Sequence, residues 1–256
     1  MIRKTFAWLL VAGLAGAAVQ AQTADELIAK NLQARGGKDK IKAVQSARMT
    51  GKMVMGQGME APFVMEMSRP NKMRMEFTIQ GMTGVQAFDG KTGWSVMPFM
   101  GKKDPEAMSA DEVKQAADQA DMDGVLVDYK DKGHQVEYAG KEEVEGTPAY
   151  KLKVTKKNGD VADIYLDAES YLEIKQAGKT KMRGQEIEGE TTFGDFKTVD
   201  GLVFPFSMEQ KAKGMPAGMT MTISKIELNP TVEGSRFAMP AAEKKESPAP
   251  PKPPQP

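Results

Sequence analysis

The chain contains no cysteine and only one histidine, His134, among its 256 residues. Without cysteine it has no disulfide, no thiol nucleophile and no Cys/His ligand set for zinc. It also lacks a His-Glu-x-x-His helix, a Gly-x-Ser-x-Gly elbow and a glycine-rich phosphate loop. Enzymatic activity is therefore the less favoured class of function, and we expect neither a cofactor nor a metal site.

An excess of charge of one sign is also missing. Lysine and arginine together number 35, as do aspartate and glutamate, so no basic surface indicates a nucleic-acid partner. The acidic group Asp118, Asp121 and Asp123 resembles part of a calcium loop. It has Gln119 at the first ligand position, however, and Lys130 at the twelfth. We interpret it as a solvated helix end.

Long apolar runs are absent apart from one near the start of the chain. Arg3 and Lys4 precede an uncharged stretch over residues 6–19, and small residues then lead to Ala21. This pattern is typical of a secretory signal peptide over residues 1–21, and the stretch is too short to span a bilayer comfortably. We therefore predict a soluble mature protein in the periplasm.

The opposite end of the chain is rich in proline, with six prolines in the last ten residues. Such a composition cannot bury much apolar surface, so we predict a disordered tail over residues 241–256. The residues between, 22–240, are enough for one sizeable core and predict a single domain.

Two capping boxes predict helices. Thr23 and Glu26 precede an apolar stripe that Gly36 and Gly37 end, and Ser109 and Glu112 precede a helix whose apolar side consists of small residues. The small residues of the second helix bury little apolar surface, so it is held weakly and we interpret it as a candidate lid.

The rest of the chain predicts about ten or eleven antiparallel strands. Apolar and polar residues alternate over 48–55, 63–68 and 72–79, with short turns at Arg69-Pro70-Asn71-Lys72 and Asp89-Gly90-Lys91-Thr92-Gly93. A change of parity in the last strand indicates a bulge near Lys225. The predicted class is mainly β with helices (α+β), a large curved antiparallel sheet that closes into a barrel or leaves a concave face for a helix or ligand.

The chain has 20 methionines, and several form i, i+2 pairs within these strands. Side chains two residues apart in a strand share a face, so each pair lies on one side of the sheet. Unbranched thioethers can repack around flexible acyl chains, although methionine also serves as a generic core filler. Binding of Cu(I) by the thioethers is a weaker third interpretation, because these pairs alternate with charged residues rather than lying in polar loops.

The Arg69-Pro70-Asn71 turn, the strand after it, Asp89-Gly90-Lys91-Thr92 with Trp94, Pro98-Phe99 and the closing segment 232–240 resemble the periplasmic lipoprotein carrier family, LolA. The resemblance implies an incomplete antiparallel barrel, covered by helices, around a cavity for the acyl chains of a lipoprotein. It also implies that Arg69 gates the cavity by holding the lid closed. Physically, a guanidinium at the sheet rim can donate to the last carbonyls of a lid helix or loop.

We therefore predict a non-enzymatic carrier or chaperone that binds acyl chains of lipoproteins or lipids for transfer toward the outer membrane, with a membrane transporter or outer-membrane receptor as a possible partner. An envelope sensor of the same fold that detects mislocalised lipoproteins is the alternative, and a purely structural envelope protein is a third. The residues predicted to line the cavity are Met53, Met55, Met65, Met67, Met73, Met75, Phe77, Ile79, Phe206, Met219 and Met221.

Overall fold

The computed structural model describes residues 22–56, 58–182, 185–214 and 218–240. The predicted signal peptide, 1–21, and the predicted tail, 241–256, lie outside the described residues.

Three α-helices occur in the described residues: α1 (Ala24–Ala34), α2 (Lys38–Ala43) and α3 (Ala110–Gln119). Both predicted capping boxes are present, at the starts of α1 and α3. Gly36 follows α1 with φ +111°, and a Cβ there would lie 2.3 Å from the carbonyl oxygen of Gly201. Glycine is therefore needed both for the backbone conformation and for the close approach to the sheet. None of the described helices has the length and apolarity of a membrane span.

The strands are antiparallel and form one sheet. Their bounds are β1 (Ser46–Met55), β2 (Met59–Ser68), β3 (Lys72–Ile79), β4 (Met82–Phe88), β5 (Gly93–Met97), β6 (Lys102–Ala107), β7 (Gln135–Val144), β8 (Thr147–Thr155), β9 (Val161–Asp167), β10 (Glu173–Met182), β11 (Gln185–Val199), β12 (Leu202–Ala212) and β13 (Met219–Leu228). The 13 strands found in the described parts of the chain exceed the ten or eleven predicted. The additional ones include the edge strand β6, which is charged and mostly exposed and so has little apolar alternation.

The order across the sheet is β6-β5-β4-β3-β2-β1-β13-β12-β11-β10-β9-β8-β7. Two meanders are therefore joined by the pairing of β1 with β13. The predicted bulge occurs there, because Thr50 pairs with Lys225 whereas Gly51 pairs with Ile223, which leaves Ser224 without a partner residue. The sheet is curved and does not close, since its edges are β6 and β7. The predicted incomplete barrel is thus confirmed.

The order of the strands determines the course of the connection between β6 and β7. These strands lie at opposite edges, so residues 108–134, which include α3, cross the inner face; we call them the crossover. Ala116 and Ala120 pack with Met73 and Phe88, whereas Leu126 packs on the far half of the sheet. The crossover therefore contacts both halves of the open barrel.

The segment after β13 docks on the outer face. The Arg236 guanidinium donates to Glu66 at 2.5 Å, and Arg48 donates to the other oxygen of the same carboxylate at 2.9 and 3.0 Å. Phe237 is 1% exposed, and its carbonyl accepts from the Trp94 indole at 3.0 Å. The closing segment is thereby held against β1–β5.

Candidate functional site

The inner face of the sheet is a continuous apolar surface over six neighbouring strands. Residues directly opposite each other on adjacent strands place their side chains on the same face. Methionines oppose methionines at six such positions on β1–β3 and β13, and Met208 of β12, opposite Met221, extends the row. The pairs are Met53–Met221, Met55–Met219, Met55–Met59, Met49–Met65, Met65–Met75 and Met67–Met73.

The eleven residues predicted to line a cavity all lie on this inner face. None is exposed: Met53, Met67, Met73, Ile79, Phe206 and Met221 are buried and the others half-buried. Nine pack together in one cluster, which we call the methionine cluster. Of the other two, Met73 lies beneath α3 and Met67 lines a small cavity. Their role in binding stays a prediction.

The methionine cluster differs from the rest of the interior in what covers it. Its core also contains Ala61, Phe63, Ile223 and Ile226, and among the described residues its partners come from strands and from Phe99 in the short 3₁₀ turn Pro98–Met100. The helix α1 covers the other half of the sheet, where Leu27 and Ile28 pack against Leu152 and Ile164. The helix α3 packs on Met73 beside the cluster. The cavity lining predicted from the sequence did not include Met49, Met208 or Phe99.

A cavity of about 50 Å³ lies between the sheet, α2 and the crossover. Ligand sites for small molecules usually enclose about 300–1,000 Å³, so this cavity is too small to hold a ligand of that size. Its lining is Arg35, Ile41, Val44, Ala47, Met49, Met67, Met122, Leu202, Val203, Phe204 and Leu228.

A larger depression of about 570 Å³ lies on the face of β9–β12 that carries Lys179 and Glu188. It is open, and its charged side chains pair with one another, as Lys213 does with Glu188 at 2.7 Å. This depression does not offer an enclosed apolar volume. The smaller cavity, which adjoins the methionine cluster, is therefore the better candidate for an acyl chain.

Arg69 connects the sheet to α2 and to the crossover, which we together call the covering segments. Its guanidinium donates to Asp123 of the crossover at 2.5 and 3.0 Å, and to the carbonyls of Val44 and Ile41, at the end of α2, at 2.7 and 3.2 Å. We call this arrangement the latch. These carbonyls belong to α2 and not to α3, the helix interpreted as the candidate lid, and Asp123, 54 residues away, was not identified as the partner. The gating role of Arg69 stays a prediction.

The electrostatics of the latch favour its charged form. The hydrogen bond from Arg69 lowers the pKa of Asp123 and outweighs the opposing effect of burial. The same bond raises the pKa of Arg69. Both groups therefore remain ionised near neutral pH. Asp121 and Asp118, which belong to the same acidic group, pair with Lys132 and Lys156 respectively.

Within the described residues, no three His, Cys, Asp or Glu side chains are close enough together to hold a metal ion. His134 lies in the turn before β7, where its Nδ1 accepts from the backbone N–H of Lys157 at 3.1 Å. Burial lowers its pKa, with a further contribution from Lys132.

Comparisons with solved structures place this architecture among known folds. An outer-membrane lipoprotein-sorting protein domain from Vibrio parahaemolyticus aligns at a TM-score of 0.55 and 11% identity, covering 82% of this chain and 97% of that one. A LolA-superfamily protein from Nitrosomonas europaea aligns at a TM-score of 0.56 and 12% identity, over 85% and 98%. The chain has a LolA-like fold. The resemblance inferred from the sequence is thereby confirmed at the level of the fold.

A DUF1329-family protein from Desulfovibrio piger shares the LolA-like fold at a TM-score of 0.59 and 11% identity, over 84% of this chain and 96% of that one. No family model and no curated protein matches the sequence. At these identities the likeness concerns architecture alone.

Proposed function

We propose that this protein is a periplasmic carrier that shields acyl chains of lipoproteins or lipids on the inner face of its sheet and passes them toward the outer membrane. The observation that carries the proposal is the methionine cluster, a deformable apolar surface whose partners among the described residues come from strands and Phe99 rather than from α1–α3. Flexible thioether side chains can adjust to chains of different shape. The proposed binding residues are the eleven predicted from the sequence.

In the proposed cycle the latch opens before cargo enters, because the closed interior has no room for an acyl chain. Each buried methylene contributes about 0.8 kcal/mol, so loading is favourable and release requires a partner or an acceptor membrane. A membrane transporter or an outer-membrane receptor is the partner that such a carrier needs. The proposal includes no enzymatic activity and no cofactor.

The direct test is to purify the exported protein from its native envelope and to identify extracted lipids or bound lipoproteins by mass spectrometry. We expect acyl-bearing cargo, and uptake of a fluorescent fatty acid that weakens when Met53 and Met221 are replaced by asparagine. A matched double replacement of the exposed Met100 and Met239 should leave uptake unchanged. Absence of any cargo together with absence of uptake would refute the carrier.

The alternative of the same fold is an envelope sensor. Pull-down of a membrane-anchored regulator rather than a transporter or receptor would favour it. Calorimetry with Cu(I) tests the metal interpretation, and we expect no binding because the sulfurs of the cluster pack among phenylalanine and isoleucine side chains.

A further inference from the structure

Three polar side chains border the apolar interior where α1 meets the start of β10; Asn31 is buried, whereas Arg35 and Glu173 are half-buried. Asn31 and Arg35 are four residues apart and therefore share one side of α1. Glu173 lies opposite Leu166, a fully buried residue of the inner face, so its carboxyl also projects inward. We call Asn31, Arg35 and Glu173 the polar cluster.

The hydrogen bonding of the polar cluster is incomplete. Asn31 is 1% exposed, and its Nδ2 donates to the Tyr171 carbonyl at 2.8 Å, which fixes the orientation of the amide. Its Oδ1 has no hydrogen-bond partner among the residues that the structure describes. The Arg35 guanidinium donates only to the backbone carbonyl of Asp123, twice at 3.3 Å, and within the described part of the chain it forms no ion pair.

These features are costly for a fold that needs only apolar packing. A buried acceptor without a donor costs about 1–3 kcal/mol. Burial lowers the pKa of Arg35 despite the nearby acids, and burial raises the pKa of Glu173 to about 7 despite Arg35. Groups under this kind of strain occur preferentially at functional sites.

The position of the polar cluster indicates what it could bind. Arg35 lines the 50 Å³ cavity together with Met49 and Phe204, and these two side chains also pack against the methionine cluster. A cationic, hydrogen-bonding end therefore leads directly into an apolar, deformable surface. This is the complement of an amphiphile with a negatively charged head and one acyl chain.

We propose that the polar cluster binds the anionic head of a single-chain amphiphile, with the guanidinium of Arg35 as its cationic partner and the acyl chain in the methionine cluster. This inference rests on the proposed carrier function and names its class of ligand. A guanidinium can donate two parallel hydrogen bonds to a carboxylate or phosphate. The unpartnered Oδ1 of Asn31 can in addition accept from a hydroxyl of the head.

The test compares dodecyl sulfate, dodecanol and dodecyltrimethylammonium, each below its micellar concentration, as competitors of a neutral fluorescent probe. We expect dodecyl sulfate to bind at least about tenfold more tightly than dodecanol, because it gains charge-assisted hydrogen bonds. Arg35→Met should abolish this preference while leaving dodecanol affinity within about twofold. Arg35→Lys should keep part of it, and Lys52→Met, at an exposed ion pair on β1, is the matched control.

A second readout uses the pH. The charge of dodecyl sulfate does not change over this pH range. Any change of its affinity with pH therefore comes from titrating groups of the protein. We expect the affinity to fall as the pH rises through about 7, where Glu173 ionises and competes for Arg35, and to be flat in Glu173→Gln. The charged groups that face this pair are Asp121 and Asp123 of the crossover, which remain bound to Lys132 and Arg69.

The two possible sources of an anionic head are separated by comparing dodecanoate with monododecanoyl glycerol phosphate. We expect tighter binding of the glycerol phosphate, whose hydroxyl can donate to Asn31, and loss of the difference in Asn31→Leu. The opposite order would assign a free fatty acid as the ligand. Equal affinity for sulfate and alcohol, or a preference that persists in Arg35→Met, would overturn this inference alone. Failure of every probe to bind would overturn the proposed carrier as well.

Discussion

Replacing Arg69 by methionine should release the covering segments without unfolding the sheet. The substitution removes four hydrogen bonds, two to Asp123 of the crossover and two to the end of α2. The side chains of Arg69 and Asp123 are 24% and 14% exposed, so the pair is only partly buried. Removing one partner of a fully buried pair costs about 3–5 kcal/mol, and allowing for solvent we expect about 2–3 kcal/mol here.

That free energy corresponds to a roughly 30- to 150-fold increase in the opening equilibrium of the covering segments. Amide hydrogen exchange measures it directly. Exchange in α2 and the crossover should accelerate by this factor, whereas exchange in β8 and β9, which pack against α1, should change little. Ligand exchange should accelerate in parallel.

The matched control is Arg48→Met, since Arg48 also binds a carboxylate through two nitrogens, but on the outer face. It should lower overall stability without selectively opening the crossover. A double-mutant cycle of Arg69→Met with Asp123→Asn should give a coupling energy of about 1–3 kcal/mol. Uniform acceleration across all strands, or no acceleration in the crossover, would contradict the latch.

The latch should also weaken in acid. The pKa of Asp123 is lowered in the folded protein, so the stabilisation is present above the ordinary value of 3.8 and is lost as the pH falls through the folded value. The rate of amide hydrogen exchange in the crossover of the wild type, corrected for the intrinsic rate, should rise over that pH interval. It should approach the rate measured in the Arg69→Met variant.

Three further substitutions test the sheet and its outer face. Gly51→Ala places a Cβ 2.1 Å from a strand carbonyl and should lower the free energy of unfolding by about 1–3 kcal/mol, whereas Gly194→Ala, with open space around it, should be nearly neutral by urea denaturation. Phe237→Ala should cost about 3–5 kcal/mol, against almost nothing for the exposed Met239→Ala. Burial alone would raise the pKa of Glu66, but hydrogen bonds from two arginines more than offset it and lower that pKa. Glu66→Gln should therefore destabilise near pH 7, and its difference from wild type should shrink as the pH falls below the ordinary glutamate value of 4.5 and through the lowered folded pKa; a pH-independent difference would contradict the assignment.

The two capping boxes, the alternating strands, the tight turns and the bulge near Lys225 were all predictable from the sequence. Each depends on residues close together in the chain, so the local pattern carries the information. The shared face of the methionines follows for the same reason, since strand parity fixes it. The helix α2 escaped prediction because six residues with only Ile41 buried show no periodicity.

Tertiary structure alone decided what the inner face contacts. The pairing of β1 with β13 places β6 and β7 at opposite edges, and only this order forces the crossover over the interior. Asp123 meets Arg69 across 54 residues, and Asn31 meets Tyr171 across 140. Such contacts depend on the global path of the chain, which no local pattern of residues encodes. The sequence by itself thus determined an apolar methionine face and a candidate latch arginine, whereas the fold supplied the partners that close the site.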